Sequence, residues 1–262
     1  MTFRARRPYN RFVARALGPL IFVLAAVLAP VAVASDARRA VEAYVSRLPG
    51  TPVTDLAIRQ TLIVYHPDGR HPQSTGEQQL YIRPPRRQRL EQTLDGQREI
   101  RLTVEDRTWV RRPDGTTVQM SSTGERDRMS LFAPFRRSAA DLLAEWRGLG
   151  VREDVSHVVR VRGRPVTIIG AGPDDAASPA VWLDEQYGVI RVITRERLLK
   201  GVRLVDLTLS EHRPLLDGLY FPYRQELFAD GRLVLLVIVR SVAVNANLSD
   251  ELFDPEALRR GR

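Results

Sequence analysis

Cysteine is absent from the chain, and its absence excludes disulfides, thiol nucleophiles, thiolate metal sites and a lipid-modified N-terminal cysteine. Lysine is nearly absent as well. Lys200 stands alone among the cations, and this arginine bias carries no chemistry of its own. The histidines His66, His71, His157 and His212 share no ligand-type spacing, although His66 and His71 flank an Asp-Gly turn. No G-x-S-x-G elbow, P-loop or dinucleotide-binding glycine pattern occurs. The acidic neighbours Asp174-Asp175 and Asp184-Glu185 read as solvated turn residues rather than as a general acid and base. Internal repeats and low-complexity linkers are missing too. What remains is a binding protein, with no enzyme activity, cofactor or metal expected.

Acidic residues are also missing ahead of Asp36, where Arg4, Arg6, Arg7, Arg11 and Arg15 precede an apolar run over residues 17–34. Ala32-Val33-Ala34 then supplies a small-residue cleavage pattern, so residues 1–34 read as a secretory signal peptide. An uncleaved signal anchor is the rival reading, because the run approaches membrane-spanning length, although Pro19 and Pro30 interrupt it. Cleavage lowers the formal charge from +9 to about +4. The exported chain is then expected to be soluble in the periplasm and not lipid-anchored. No nucleic-acid-binding motif occurs, and nucleic acid is not expected as a partner.

Residues 35–262 read as one domain of mainly β structure. A first helix is expected over residues 36–48, where Ala37, Ala40, Val41, Tyr44, Val45 and Leu48 recur at helical spacing before Pro49-Gly50. From Thr54 the period changes to two, with Ile58, Leu62 and Val64 on one face. Further strands are expected over residues 76–82, 87–94, 100–104 and 108–110. Residues 117–126 look polar and turn-like. A second helix carries the stripe Ala139, Leu142, Leu143 and Trp146 before Gly148. Strands resume at residues 155–161 and 165–169. Short β-branched runs from Val181 to Val239, punctuated by Gly, Asp and Pro, form a final meander. A tail over residues 244–255 leaves the sheet.

The order of these features resembles the LolA-like superfamily of periplasmic lipoprotein and lipid carriers. Trp182-Leu183-Asp184 matches a strand ending in W-L-D, and Asp217-Gly218-Leu219 with Pro222 matches the D-G turn that follows two long strands. Residues 242–245 and 248–253 match a last strand that runs into V-x-x-N and L-x-D-x-x-F. Tyr81, Pro85, Arg89 and Trp109 match the motif Y-x-x-x-P-x-x-x-R with its following hairpin, although Asp106-Arg107 stands where the family has Asp-Gly. The likeness covers most of residues 36–255 and is one of pattern rather than close identity.

This resemblance implies an α+β fold, mainly β. A strongly curved antiparallel sheet forms an open half-barrel, and the N-terminal and mid-chain helices act as a lid over its concave apolar face. It implies a monomeric carrier that shields acyl chains of lipoproteins or lipids on the way to the outer membrane. An inner-membrane transporter and an outer-membrane acceptor would be its partners. Burial of each methylene contributes about 0.8 kcal/mol, so such binding needs no short motif. Arg89 corresponds to the family arginine that holds the lid closed. Leu90, Trp109, Leu131, Phe132, Leu142, Leu143 and Trp146 are the cavity and lid candidates, with plain core packing as the alternative for each. An RseB-like envelope sensor is the alternative function, though the chain ends soon after Phe253, where that type carries a second domain. A hydrolase of envelope material lacks any supporting constellation.

Overall fold

The computed structural model describes residues 37–48, 52–121, 138–198, 201–216 and 218–261. The signal-peptide reading and the candidates Leu131 and Phe132 lie outside the described residues. Helix α1 (Ala37–Arg47) leads into β1 (Leu56–Tyr65), β2 (Pro72–Arg83), β3 (Arg87–Leu94), β4 (Gln97–Val104), β5 (Arg107–Arg111) and β6 (Thr117–Ser121). After helix α2 (Ala139–Gly148) come β7 (Ser156–Val161), β8 (Arg164–Ile169), β9 (Ala180–Asp184), β10 (Gly188–Leu198), β11 (Gly201–Leu216), β12 (Leu219–Ala229) and β13 (Arg232–Val244). A 3-10 turn (Asp250–Phe253) and helix α3 (Pro255–Arg260) follow.

Every strand belongs to one antiparallel sheet, in the order β6-β5-β4-β3-β2-β1-β13-β12-β11-β10-β9-β8-β7. Three of its hairpins turn through two residues with left-handed backbone, Asp95-Gly96, Arg162-Gly163 and Asp230-Gly231. Their handedness matches the twist of the strands they join. At the β4–β5 turn, where the family pattern has glycine, Glu105 itself takes the positive φ of 52°. Pairing of β1 with β13 unites the two halves of the chain and leaves β6 and β7 as the two edges among the described strands. The link between these two edges contains α2.

The packing shows how strongly the sheet curves. One core holds Val41 of α1 and Leu142, Leu143 and Trp146 of α2. It also takes Leu90 of β3, Leu80 and Ile82 of β2, Leu56 and Ile58 of β1, and so on across the sheet to Ile169 of β8. Those nine strands laid flat would span roughly 38 Å at the usual spacing, about twice the width of two adjacent helices. The same two helices can meet all of them only if the sheet wraps round. The structure is therefore an open half-barrel with α1 and α2 on its concave side.

The two expected helices form where the apolar stripes place them. Ser138 caps α2 through a reciprocal box with Asp141. Tyr44 of α1 is half-buried against the core, and that desolvation pushes its phenol up to about 12. Residues 117–121 are a strand rather than a turn, because β5 offers an open edge and Val118 stands opposite Val110. An edge strand can carry polar side chains towards solvent, so composition alone does not reveal it. The tail forms helical turns that the strand pattern did not predict. Ser249 and Asp254 cap them, and Pro255 opens α3. No helix among the described residues is long and apolar enough to cross a membrane.

Candidate functional site

Alternation along each strand sorts the candidate residues onto two faces. Leu90 points to the concave side, where it packs with Leu142, Leu143 and Trp146 against Leu56, Ile58, Leu80, Ile82, Leu219 and Phe221. This is a continuous apolar lining beneath two short helices. The Trp146 indole nitrogen is buried there without a hydrogen-bond partner.

The concave lining is not apolar throughout. Gln60, Gln78 and Gln92 stand opposite one another on β1, β2 and β3. Gln60 Nε2 donates to Gln78 Oε1 at 2.7 Å, and Gln78 Nε2 donates to Gln92 Oε1 at 2.6 Å. Gln225 of β12 is buried on the same face, between Leu209 and Val237 in the cross-strand register. None of the four belongs to a motif in the sequence. Their signal was a polar residue at core parity, as in Ile58-x-Gln60-x-Leu62.

Arg89 and Trp109 face the opposite way. Tyr81, Arg89, Leu102 and Trp109 are successive partners across β2, β3, β4 and β5, one row on the outer face. Ile100, Leu102 and Trp109 form a second core with Phe253 and Leu258 of the C-terminal segment. Arg89 donates to Glu91 Oε1 at 2.7 Å and to the Leu252 carbonyl at 3.2 Å. Arg83 donates to the Leu248 carbonyl and to Asp250, and Arg111 donates to the Leu258 carbonyl at 3.3 Å. With Arg87, which donates to Asp250 at 3.4 Å, four strand arginines thus strap the C-terminal segment to the outer face. The expected lid residues therefore divide: α2 and Leu90 share the groove, whereas Arg89 and Trp109 hold the strap.

The other matched motifs also have local physical causes. Asn245 takes a positive φ of 54° and accepts from the Thr54 backbone at 2.8 Å. It thereby ties the end of β13 to the entry of β1. Asp184 is not solvated; it is 1% exposed, accepts from the backbone of Gln186 and Tyr187 at 2.9 Å, and pairs with Arg164 at 2.9 Å. It shapes the β9–β10 turn.

Beside Asp184, the outer face carries a pocket of about 430 Å³ lined by Arg164, Trp182, Tyr187, Arg191 and His212 among others. Arg164 lies 4.1 Å over Tyr187, Tyr187 stacks on His212 at 4.8 Å, and Arg191 lies 4.8 Å over Trp182. Burial pushes the His212 imidazole down to about 4, aided by Arg164 and opposed by Asp184. The unfolded chain takes up this proton near pH 6.5 and the folded chain only near pH 4, so stability due to His212 is complete above 6.5 and declines towards 4. Unfolding midpoints should rise with pH over that window, and His212→Phe, which keeps the ring stack, should flatten that part of the profile. An unchanged slope in the variant would refute the assignment. Among the described residues no group of three or more His, Asp or Glu is arranged to hold a metal.

No family model matches the sequence, and no curated protein matches it. Solved structures do. A domain from Vibrio parahaemolyticus named for outer-membrane lipoprotein sorting aligns with a TM-score of 0.55 at 14% identity, covering 86% of this chain and 100% of that one. A DUF1329 family protein from Desulfovibrio piger gives 0.55 at 16% identity, with 85% and 99% covered. A LolA superfamily protein from Nitrosomonas europaea gives 0.52 at 12% identity, with 84% and 98% covered. At these identities the likeness shows the fold alone, an open half-barrel of the kind expected from the motifs.

Proposed function

We propose that this protein is a periplasmic carrier, a divergent LolA-like member that holds the acyl chains of a lipid or lipoprotein in its concave groove and passes them towards the outer membrane. The observation that carries the reading is topological. Apart from the β1–β13 junction, every strand pairing joins strands consecutive in the chain, whereas β6 and β7, consecutive in the chain, are the two opposite edges of the sheet. The link between these edges carries α2, which lies on the concave side. A helix carried on such a link can leave the groove without breaking a strand pairing.

Binding of this kind rests on apolar area and needs no nucleophile or acid–base pair. The inner lining offers that area from Leu90 to Ile169, and Trp146, Leu142 and Leu143 fill it in the closed form. On transfer, acyl chains would replace these side chains against the lining. An inner-membrane donor and an outer-membrane acceptor follow from such a role.

The test is mass spectrometry of lipids that co-purify with the protein from the periplasm without detergent. An acyl-bearing ligand near one per protein is expected, displaceable by a fluorescent fatty-acid probe. A folded protein that holds no acyl chain and does not bind the probe would refute the carrier.

A further inference from the structure

We propose that the groove reads the polar linkage of its ligand as well as its chains, through a belt of buried glutamines that receives an acyl ester or amide carbonyl. This rests on the acyl-carrier reading above and specifies its ligand.

Gln60 and Gln225 are 6% and 8% exposed, so both side chains are desolvated. Gln225 Nε2 is buried without a hydrogen-bond partner, and so is Gln60 Oε1. Gln60 ends the amide chain that runs through Gln78 to Gln92 at 2.7 and 2.6 Å. Leu62, two residues beyond Gln60, pairs with Val237, which in turn pairs with Gln225. The two unpaired atoms, Gln60 Oε1 and Gln225 Nε2, therefore belong to side chains in adjacent rows with only β13 between their strands. Curvature of the sheet tilts inner-face side chains towards one another.

A groove for plain hydrocarbon gains nothing from these groups. An unpaired buried amide is costly, and an apolar residue of the same size would serve better. Apolar lining flanks the belt on both sides. Ile58 and Leu62 lie on either side of Gln60 along β1, and Tyr223 and Leu227 on either side of Gln225 along β12. That order, apolar then polar then apolar, matches a ligand whose chains meet at a carbonyl linkage. The Gln225 amide supplies the donor a carbonyl needs. Gln60, at the end of a polarised amide chain, presents the complementary atom to an N–H or hydroxyl of the same linkage.

The experiment compares binding of diacyl (ester) phosphatidylglycerol with its dialkyl (ether) analogue of equal chain length, which lacks the carbonyls. Delipidated full-length protein is titrated and followed by tryptophan fluorescence. Wild type should bind the ester roughly fivefold more tightly, the value of about one neutral hydrogen bond. Gln225→Leu should bring the ratio close to one while keeping or raising affinity for the ether lipid, whereas Gln60→Leu, which removes an acceptor that a carbonyl cannot use, should leave the ratio unchanged. The ligand-free Gln225→Leu protein should melt no lower than wild type, since it loses an unpaired donor. Equal binding of ester and ether by wild type overturns the glutamine site and leaves the carrier intact. An ester preference that survives in Gln225→Leu also overturns it. Binding of neither lipid overturns the carrier and the site together.

Discussion

Substitution of Arg89 by leucine is expected to lower the free energy of unfolding by about 3 kcal/mol, within the range for breaking one side of a buried ion pair. The Arg89 side chain is only 4% exposed, and its partner Glu91 is 17% exposed. Its removal leaves Glu91 half-sequestered beneath the C-terminal segment and the Leu252 carbonyl without this donor. The other partner of Glu91, Arg98, is 63% exposed, and its loss should cost less than about 1 kcal/mol because solvent screens it. Removal of both members, Arg89→Leu with Glu91→Leu, should restore part of the loss, since no uncompensated charge stays buried. Urea denaturation measures all three. Hydrogen exchange should locate the defect at residues 248–261, the strap, rather than at α2. A loss equal to that of Arg98→Leu, or an opening confined to α2, would contradict this placement.

Trp146→Ala is expected to cost about 3–5 kcal/mol in the ligand-free protein, the usual price of removing a large buried aromatic. Trp146 is 1% exposed in the core shared by both helices and the concave lining, and its indole nitrogen makes no hydrogen bond that could be lost. The whole effect is therefore one of packing, cavity and apolar transfer. A ligand discriminates between a fixed core residue and a plug for an acyl site. If acyl chains take the place of α2 side chains, loaded wild type and loaded variant should lie closer in stability than the ligand-free pair. Denaturation with and without saturating fatty acid measures that gap. A gap of unchanged size would mean that Trp146 is a permanent part of the core, and the groove would have to fill elsewhere.

The motif residues teach where sequence reading succeeds and where it stops. Tyr81, Arg89 and Trp109 are separated along the chain, and their spacing marks a hairpin and the strand after it. They fall in one cross-strand row, which the alternation of each strand allows but does not reveal. Their common purpose, as the seat of Phe253 and Leu258, depends on a segment more than a hundred residues further on. Asp184 shows the same limit. Beside Glu185 it reads as a solvated acid, but Arg164 and the turn backbone enclose it.

The sequence by itself determined most of the elements. Periods of two and of about 3.6 placed α1, α2 and the strands other than β6, and Gly, Asp and Asn at positive φ set the turns, because these are local consequences of backbone sterics and side-chain alternation. The order of its turn and cap residues also pointed to the half-barrel fold. The tertiary structure alone decided which face of each strand is concave. Two faces of a curved sheet can both be apolar, and here one meets α1 and α2 while the other meets the C-terminal strap. That choice moved Arg89 and Trp109 out of the groove and brought Gln60 and Gln225 into it. Burial is a property of what lies opposite a side chain, and β1 meets β13 only after the whole chain has closed between them.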